Sequence, residues 1–410
     1  MKLYGIVSIF LISFFSLSSK VGAQEQWVQQ TFPGIPVTLY SVRFVDANTG
    51  WAVGVNGTII KTTNGGTNWV PQTSGTTDTL RSVFFVNANV GYAVGGSGIP
   101  GGMWGDFLRT TNGGATWTLM RQQLDYGLYS VYFTDVDTGY ASGFGSTDIF
   151  LFKTVNGGTN WIRQTGFIRA AYSLYFLNAK LGYGAGAGVT KTTDGGSTWS
   201  MLNTGTTAVS FRSIHFTDSN TGYAVSSTGN IIKTLNGGAS WSFQINGTNG
   251  GLTAVHFNSS DTGYCVGGTS PLNGIVLKTT SGGSTWIQQT SGVAQTLNSV
   301  FFVNGNTGWA VGDGAVILKH INNPVPLLKT TPSISFNLTG KVLRYTLEKQ
   351  SHIGLKILDG KGAITLKFLD QIDGAGEHFF LLPSNRIPPG MHILDFENDD
   401  VDKYLMLNNP

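Results

Sequence analysis

Six copies of one eight-residue pattern constrain this chain more than any other feature. They read TTNGGTNW (62–69), TTNGGATW (110–117), TVNGGTNW (154–161), TTDGGSTW (192–199), TLNGGASW (234–241) and TTSGGSTW (279–286). Each has Thr first, Asn, Asp or Ser third, Gly fifth and Trp eighth. Asn-Gly or Asp-Gly between extended runs is a tight-turn signal, because glycine takes the positive φ that such turns require. A short polar side chain at the third place can bond nearby backbone N–H groups and hold the turn shut. The closing Trp is then delivered to a fixed position, where it can bury about 150–250 Å². Six such turns make a repeat protein.

The turns sit inside a longer unit: L-x-S-V-x-F, then G-W/Y-A-V-G, then I-x-K-T, then the turn. Counting by the G-W/Y step gives seven repeats, at Trp51, Tyr92, Tyr140, Tyr183, Tyr223, Tyr264 and Trp309. Their spacing of about 40 residues is the period of a four-stranded propeller blade. The first repeat predicts strands over Leu39–Val45, Gly50–Gly54, Thr58–Thr63 and Trp69–Gln72. The seventh runs Ser299–Val303, Gly308–Gly312 and Ala315–His320 and stops at Asn323-Pro324, one strand short. That strand is matched at the other end, where Trp27-Val28-Gln29-Gln30-Thr31 parallels Trp286-Ile287-Gln288-Gln289-Thr290. The mature N-terminus is therefore expected to supply the outer strand of the last blade, closing the ring and removing a free edge.

The eight-residue pattern is the Asp-box, or BNR, repeat, and the longer unit, from Trp27 to about His320, resembles the photosystem II assembly factor family. In most copies Asn stands where that family favours Asp; Asp194 is the one Asp. The resemblance implies a closed seven-bladed β-propeller over 24–322. The all-β reading suits the composition, which has 57 glycines and only 11% charged residues, against about 25% in an average soluble domain. A net charge of +3 is too small to point to nucleic acid.

Residues 1–23 read as an export signal: Lys2, an apolar run from Tyr4 to Leu17, and Val21-Gly22-Ala23 as a small-residue cleavage site. No other stretch is apolar enough for a spanning helix. Cys265 is the lone cysteine, so no internal disulfide is expected; a small buried thiol is. Prolines 324, 326 and 332 mark a linker at 323–333. Beyond it, 334–410 carries short apolar runs at Leu343–Leu347, Ile353–Leu358, Ile364–Leu369, His378–Leu382, His392–Phe396 and Tyr404–Leu407, which suggest a small β-sandwich. This tail resembles the C-terminal sorting domain of the type IX secretion system through Leu343–Leu347, His352–Asp359, Gly374–His378, Pro388–His392 and Lys403–Leu407. Gly360-Lys361-Gly362 and the final Asn-Asn-Pro depart from the usual ending. The resemblance implies export machinery as a partner and a secreted or cell-surface location in a Gram-negative bacterium. The rival reading is an immunoglobulin-like accessory module.

Antiparallel strands place the first turn of each repeat and the box turn on one face of the disc. The second turn and the connection between blades lie on the other, and there the lengths vary. The second turn is Asp313-Gly314 in repeat seven but Gly96–Asp106 in repeat two, with long versions at Gly268–Gly274 and Phe144–Asp148. Insertions on a repeat scaffold mark its working side. The candidates there are Trp104 between glycines, the distinctive connections carrying Tyr126 and Arg169, and the first residue of each inner strand: Tyr40, Arg81, Tyr129, Tyr172, Arg212, Thr253 and Asn298. An arginine patch of the assembly family is held to contact its client, and Arg81 and Arg212 match it in type. Ordinary channel packing is the competing reading of this ring.

Asp-box propellers include sialidases, whose resemblance would imply a Tyr activated by Glu, an Asp acid and three arginines. Residues 26–323 contain no Glu, and hydrolysis of a glycoside generally needs a pair of carboxylates. Asp106, Asp125 and Asp148 are the acidic residues that fall together on the variable side. A basic residue precedes each box (Lys61, Arg109, Lys153, Lys191, Lys233, Lys278) and recurs at Lys319; its stem over a neighbouring aromatic is the favoured reading. His215 and His256 occupy matching positions but have no carboxylate or Cys at ligand spacing, so no metal and no cofactor are expected. The reading is a non-enzymatic, monomeric, exported binding scaffold for a protein or glycan. A sialidase-like hydrolase and an assembly factor or chaperone are the alternatives.

Overall fold

The computed structural model describes residues 25–97, 104–124, 127–144, 149–166, 169, 171–206, 209–269, 273–322, 337–339, 342–347, 350–358, 364–382, 390–398 and 402–409. The export signal and the linker lie outside them. The chain divides into two compact units, Glu25–Asn322 and one that holds the segment after it.

The first unit is seven antiparallel sheets of four strands. Blade one is Leu39–Phe44, Gly50–Gly54, Ile59–Thr62 and Val70–Gln72. Blades two to six repeat it, their inner strands being Thr79–Phe85, Leu128–Phe133, Ala171–Phe176, Phe211–Phe216 and Gly251–Phe257. Blade seven takes Leu297–Phe302, Thr307–Gly312 and Ile317–Asn322, with Glu25–Gln29 as its outer strand. Trp27 sits opposite His320 in that pairing.

One aromatic arrangement recurs at all seven junctions. The Phe that ends each inner strand lies over the glycine of G-W/Y in its own blade; a Cβ at Gly50 would run into the Phe44 ring. The other side of that Phe stacks on the Trp or Tyr of the preceding blade. Trp51 meets Phe85 at 3.5 Å, Tyr140 meets Phe176 at 4.0 Å, and Trp309 of blade seven meets Phe44 of blade one at 3.4 Å. The box Trp then stands edge-on to the same Phe, as Trp199 does to Phe176 at 6.0 Å. Trp69, Trp117, Trp161, Trp241 and Trp286 repeat this contact. In blade seven Trp27 takes the seat, edge-on to Phe302 at 5.8 Å, 8% exposed, its indole donating to Gln289 at 3.0 Å. Such ring pairs add about 0.5–1.5 kcal/mol each beyond burial.

The box closes through local bonds. Thr192 Oγ1 accepts from Gly196 N at 2.9 Å, and Asp194 accepts from Thr198 N at 2.9 Å. Gly195 and Gly196 lie at φ +72° and +85°, where a Cβ is strained. Gly195 N donates to Lys180 O in the first turn of the same blade, tying the two turns of that face together. The first box glycine also presents its carbonyl to the blade before. Gly195 O accepts from Tyr140 Oη at 2.9 Å and Lys153 Nζ at 2.8 Å. Gly113, Gly237 and Gly282 serve Trp51 with Lys61, Tyr183 with Lys191, and Tyr223 with Lys233. Lys61, Lys153, Lys191 and Lys233 are thus inter-blade latches, each with its ammonium over the aromatic it flanks, 5.3 Å for Lys153 and Tyr140. Burial pushes Tyr140, Tyr183 and Tyr223 up to about 12, so all three stay donors. Trp309 Nε1 donates to Gly65 O at 3.3 Å, carrying the latch from blade seven to blade one.

Two details differ from the sequence expectation. The long second turns of blades two and six are mainly longer hairpins: Gly91–Gly96 pairs with Trp104–Thr110, and Gly263–Thr269 with Asn273–Thr279. The short turn of blade seven is a 3-10 turn, Asp313–Ala315, with Gly314 at φ 62°.

The second unit contains a three-stranded sheet, Asn337–Thr339, Val342–Leu347 and Gly376–Leu381. It also contains a four-stranded one, Ile364–Asp373, Ser351–Leu358, Gly390–Asn398 and Asp402–Asn409. Phe368 and Phe380, one from each sheet, approach to 5.9 Å, and Ile353, Leu355 and Ile357 are fully buried. Asn337–Thr339 is a strand that the apolar runs did not announce.

Candidate binding site in the central channel

Every inner strand carries a bulge at the same place. In blade one the pairing jumps between Leu39 and Ser41, leaving Tyr40 without a partner; the same jump leaves out Arg81, Tyr129, Tyr172, Arg212, Thr253 and Asn298. Leu39 and Val42 both face the blade core, a spacing of three that a regular strand cannot give. An extra residue in one strand re-aims its side chain, and here all seven turn into the channel. They line one cavity of about 500 Å³ together with Ser227, Gly251, Leu252, Gly268 and Thr296.

The cavity has two halves. On one side Arg81 lies 4.7 Å over the Tyr129 ring, Tyr129 meets Tyr172 edge-on at 5.4 Å, and Arg212 lies 4.2 Å over Tyr172. Arg81 Nη1 also donates to Gly96 O at 3.2 Å. On the other side the polar groups are tied to the scaffold. Thr253 Oγ1 donates to Leu297 O, and Asn298 Nδ2 donates to Leu39 O and to Asp313. Among the described residues no carboxylate lines the cavity. The arrangement suits an anionic or carbonyl-rich ligand with flat groups to stack: two cations, pre-positioned on aromatic faces, beside neutral donors and acceptors.

One residue deeper, the serine of L-x-S-V-x-F binds the next blade, as when Val83 N donates to Ser41 Oγ at 3.2 Å and Val42 N to Ser299 Oγ at 3.3 Å. Below the serines a second ring follows at the other x of the motif: Arg43, Phe84, Tyr132, Tyr175, His215, His256 and Phe301. Successive rings lie 4.8–5.6 Å apart from Phe84 round to Phe301. Arg43 completes the circle, 4.5 Å over both Phe84 and Phe301. Burial, then the Arg43 charge, holds His256 down to about 3, while burial and then the neighbouring His256 hold His215 well below its ordinary value. Both are neutral imidazoles, and His256 bonds Phe302 O at 3.1 Å. Sequence reasoning singled out the two histidines but missed the ring; a second variable position inside an otherwise constant motif was the available signal.

The remaining candidates fall elsewhere. Trp104 heads a strand of blade two and is 44% exposed, outside the cavity lining. It neither caps the channel nor joins the arginines. Arg169 lines a separate cavity with Met201, Thr204 and Phe211. Tyr126 lies outside the described residues, as do Asp125 and Asp148. Asp106, expected on the variable surface, is fully buried between blades one and two. It accepts from Arg121 Nε at 3.0 Å and from Thr76 Oγ1 at 2.6 Å. Neighbouring Asp78 is held above the usual carboxylate range by burial and by Asp106. Both carboxyls lie against Arg121, Asp106 at 3.0 Å and Asp78 at 3.5 Å. Cys265 is fully buried in blade six.

Residues 19–125 match the family described as photosynthesis system II assembly factor YCF48. Among curated proteins nothing matches. Solved structures do. YCF48 bound to D1 peptide is 20% identical, with a TM-score of 0.58 over 72% of this chain and 94% of that one. YCF48 from Cyanidioschyzon merolae is 20% identical, with a TM-score of 0.58 over 72% and 99%. A GH74 enzyme from Niastella koreensis is 13% identical, with a TM-score of 0.59 over 92% and 73%. At these identities the structures establish the fold. The chain is a closed seven-bladed β-propeller whose first two blades are similar in sequence to the YCF48 assembly-factor family.

Proposed function

We propose that this protein is an exported, non-enzymatic scaffold that binds a polypeptide partner at the mouth of its channel, in a binding or assembly role. The observation that carries the reading is the convergence of seven bulged side chains on one cavity, with Arg81 and Arg212 stacked on Tyr129 and Tyr172. Arg and Tyr are the side chains richest in binding energy at protein interfaces. The similarity of residues 19–125 to assembly factors, and a similar fold solved with a peptide bound, support a protein over a sugar. Hydrolysis is disfavoured by chemistry, since among the described residues no carboxylate lines the cavity to act as acid or base. The type IX-like tail and the leader suit export across both membranes of a Gram-negative cell, and supply the setting in which the partner is met.

The test is affinity purification of the exported protein from its own cells, wild type against Arg81→Ala/Arg212→Ala. A protein recovered with the wild type and lost with the double variant, at unchanged melting temperature, supports the reading. Equal recovery would place the binding surface elsewhere. Turnover of aryl glycosides by the wild type would overturn the non-enzymatic assignment outright.

A further inference from the structure

Arg43 is the one charged side chain in the middle ring of the channel. Its guanidinium is held between the Phe84 and Phe301 faces, 4.5 Å from each, and its Nε is buried with no hydrogen-bond partner. Among the described residues no carboxylate pairs with it. The rest of the ring offers no compensation. Tyr132 and Tyr175 donate to the carbonyls of Phe176 and Phe216, both at 2.8 Å, so their protons point along the ring. His215 and His256 are neutral and carry no counter-charge.

A cation withdrawn from bulk water costs several kcal/mol unless it is paired, and contacts with two phenyl faces return about 0.5–2 kcal/mol each. The charge has a reason to be kept that packing does not supply, because a Tyr or Phe there would complete the ring more cheaply. Arg43 is set deep in the molecule and is nonetheless not fully buried. Arg81 and Arg212 stand at the mouth, three strand residues higher, or about 10 Å along the channel axis. Three positive groups along one low-dielectric passage concentrate anions within it.

We propose that Arg43 is an anion site in the channel, taking one carboxylate group in its planar fork. The fork presents parallel N–H donors that match a carboxylate in two bonds, and the phenyl walls hold the guanidinium plane so that little order is lost on binding. The site is independent of whether a polypeptide occupies the mouth. Its carboxylate comes either free, on a small acid, or carried on a chain that enters the channel.

Titration calorimetry of the full chain with formate, and separately with N-acetylglycylglycine, tests the site. Saturable formate binding weakened about 10-fold or more in Arg43→Met, as expected for loss of a bidentate charge-assisted pair, supports it with a free acid as ligand. Binding of N-acetylglycylglycine alone, with the same loss, supports it with a carried carboxylate. Arg43→Lys keeps the charge without the fork and should bind formate more weakly than wild type but better than Arg43→Met. If the methionine variant does not fold, bromide soaked into wild-type crystals decides: an anomalous peak against Arg43 is expected. Bromide only at Arg81 or Arg212, or formate affinity unchanged in Arg43→Met, would overturn the assignment.

Discussion

Replacing Trp27 by Ala removes the one aromatic that the N-terminal strand contributes to the wheel. The indole is 8% exposed and meets Phe302 at 5.8 Å, Tyr264 at 6.1 Å and His320 at 5.2 Å. Burial of about 150–250 Å² at about 25 cal/mol/Å² corresponds to about 4–6 kcal/mol, and truncations of buried Phe or Trp cost about 3–5 kcal/mol. Gln289 also loses its indole donor. About 4 kcal/mol is therefore expected. At about 2–4 °C per kcal/mol for a domain of this order of size, the melting temperature falls by about 8–16 °C. Scanning calorimetry of Trp27→Ala beside Trp199→Ala is the assay. Trp199 occupies the same seat in blade four, edge-on to Phe176, so the two variants should fall together. A Trp27→Ala protein melting within about 2 °C of wild type, while Trp199→Ala drops in full, would refute the argument that both ends close one ring.

Two further outcomes follow from the channel and the latches. His215 and His256 have folded-state values depressed by burial, so their contribution to stability is complete above the unfolded value near 6.5 and is lost as pH falls below it, for His256 down to about 3. The unfolding free energy from urea titrations should decline from pH 6.5 downward by at most about 1.4 kcal/mol per pH unit per histidine, and His215→Phe/His256→Phe should flatten that limb. Lys233→Met removes the 2.6 Å bond to Gly282 O that Tyr223 Oη shares. It should destabilise by about 1–2 kcal/mol, and the cycle with Tyr223→Phe should be non-additive by at least about 0.5 kcal/mol.

The ring closure was legible because Trp27–Thr31 repeats the residues around Trp286 and the seventh repeat ends one strand early. The basic residue before each box was legible for the same reason: a feature present in every blade serves the blade. Repetition hid the channel chemistry instead. The bulge at Tyr40 and its sisters shows only as a spacing of three between Leu39 and Val42, which reads as an ordinary break in alternation. Arg43 and its ring fall at a second variable position of the motif, held by Arg, Phe, Tyr or His, a signal that is visible in the sequence but does not say which way the side chains point. Long connections misled in the other direction. Gly96–Asp106 looked like an open insertion, yet its described ends pair as strands and draw Asp106 into the interior, where Arg121 and Thr76 hold it.

The division of the disc into a constant face and a working face is tested most directly by site-specific photocrosslinking. The photoreactive residue p-benzoylphenylalanine placed at Tyr40, 37% exposed at the mouth, is compared with the same residue at Leu235, 68% exposed in a box turn. In the producing cells the Tyr40 position should capture one protein as a defined adduct and the Leu235 position should not. Capture from Leu235 with none from Tyr40 would put the partner on the box-turn face and contradict the account.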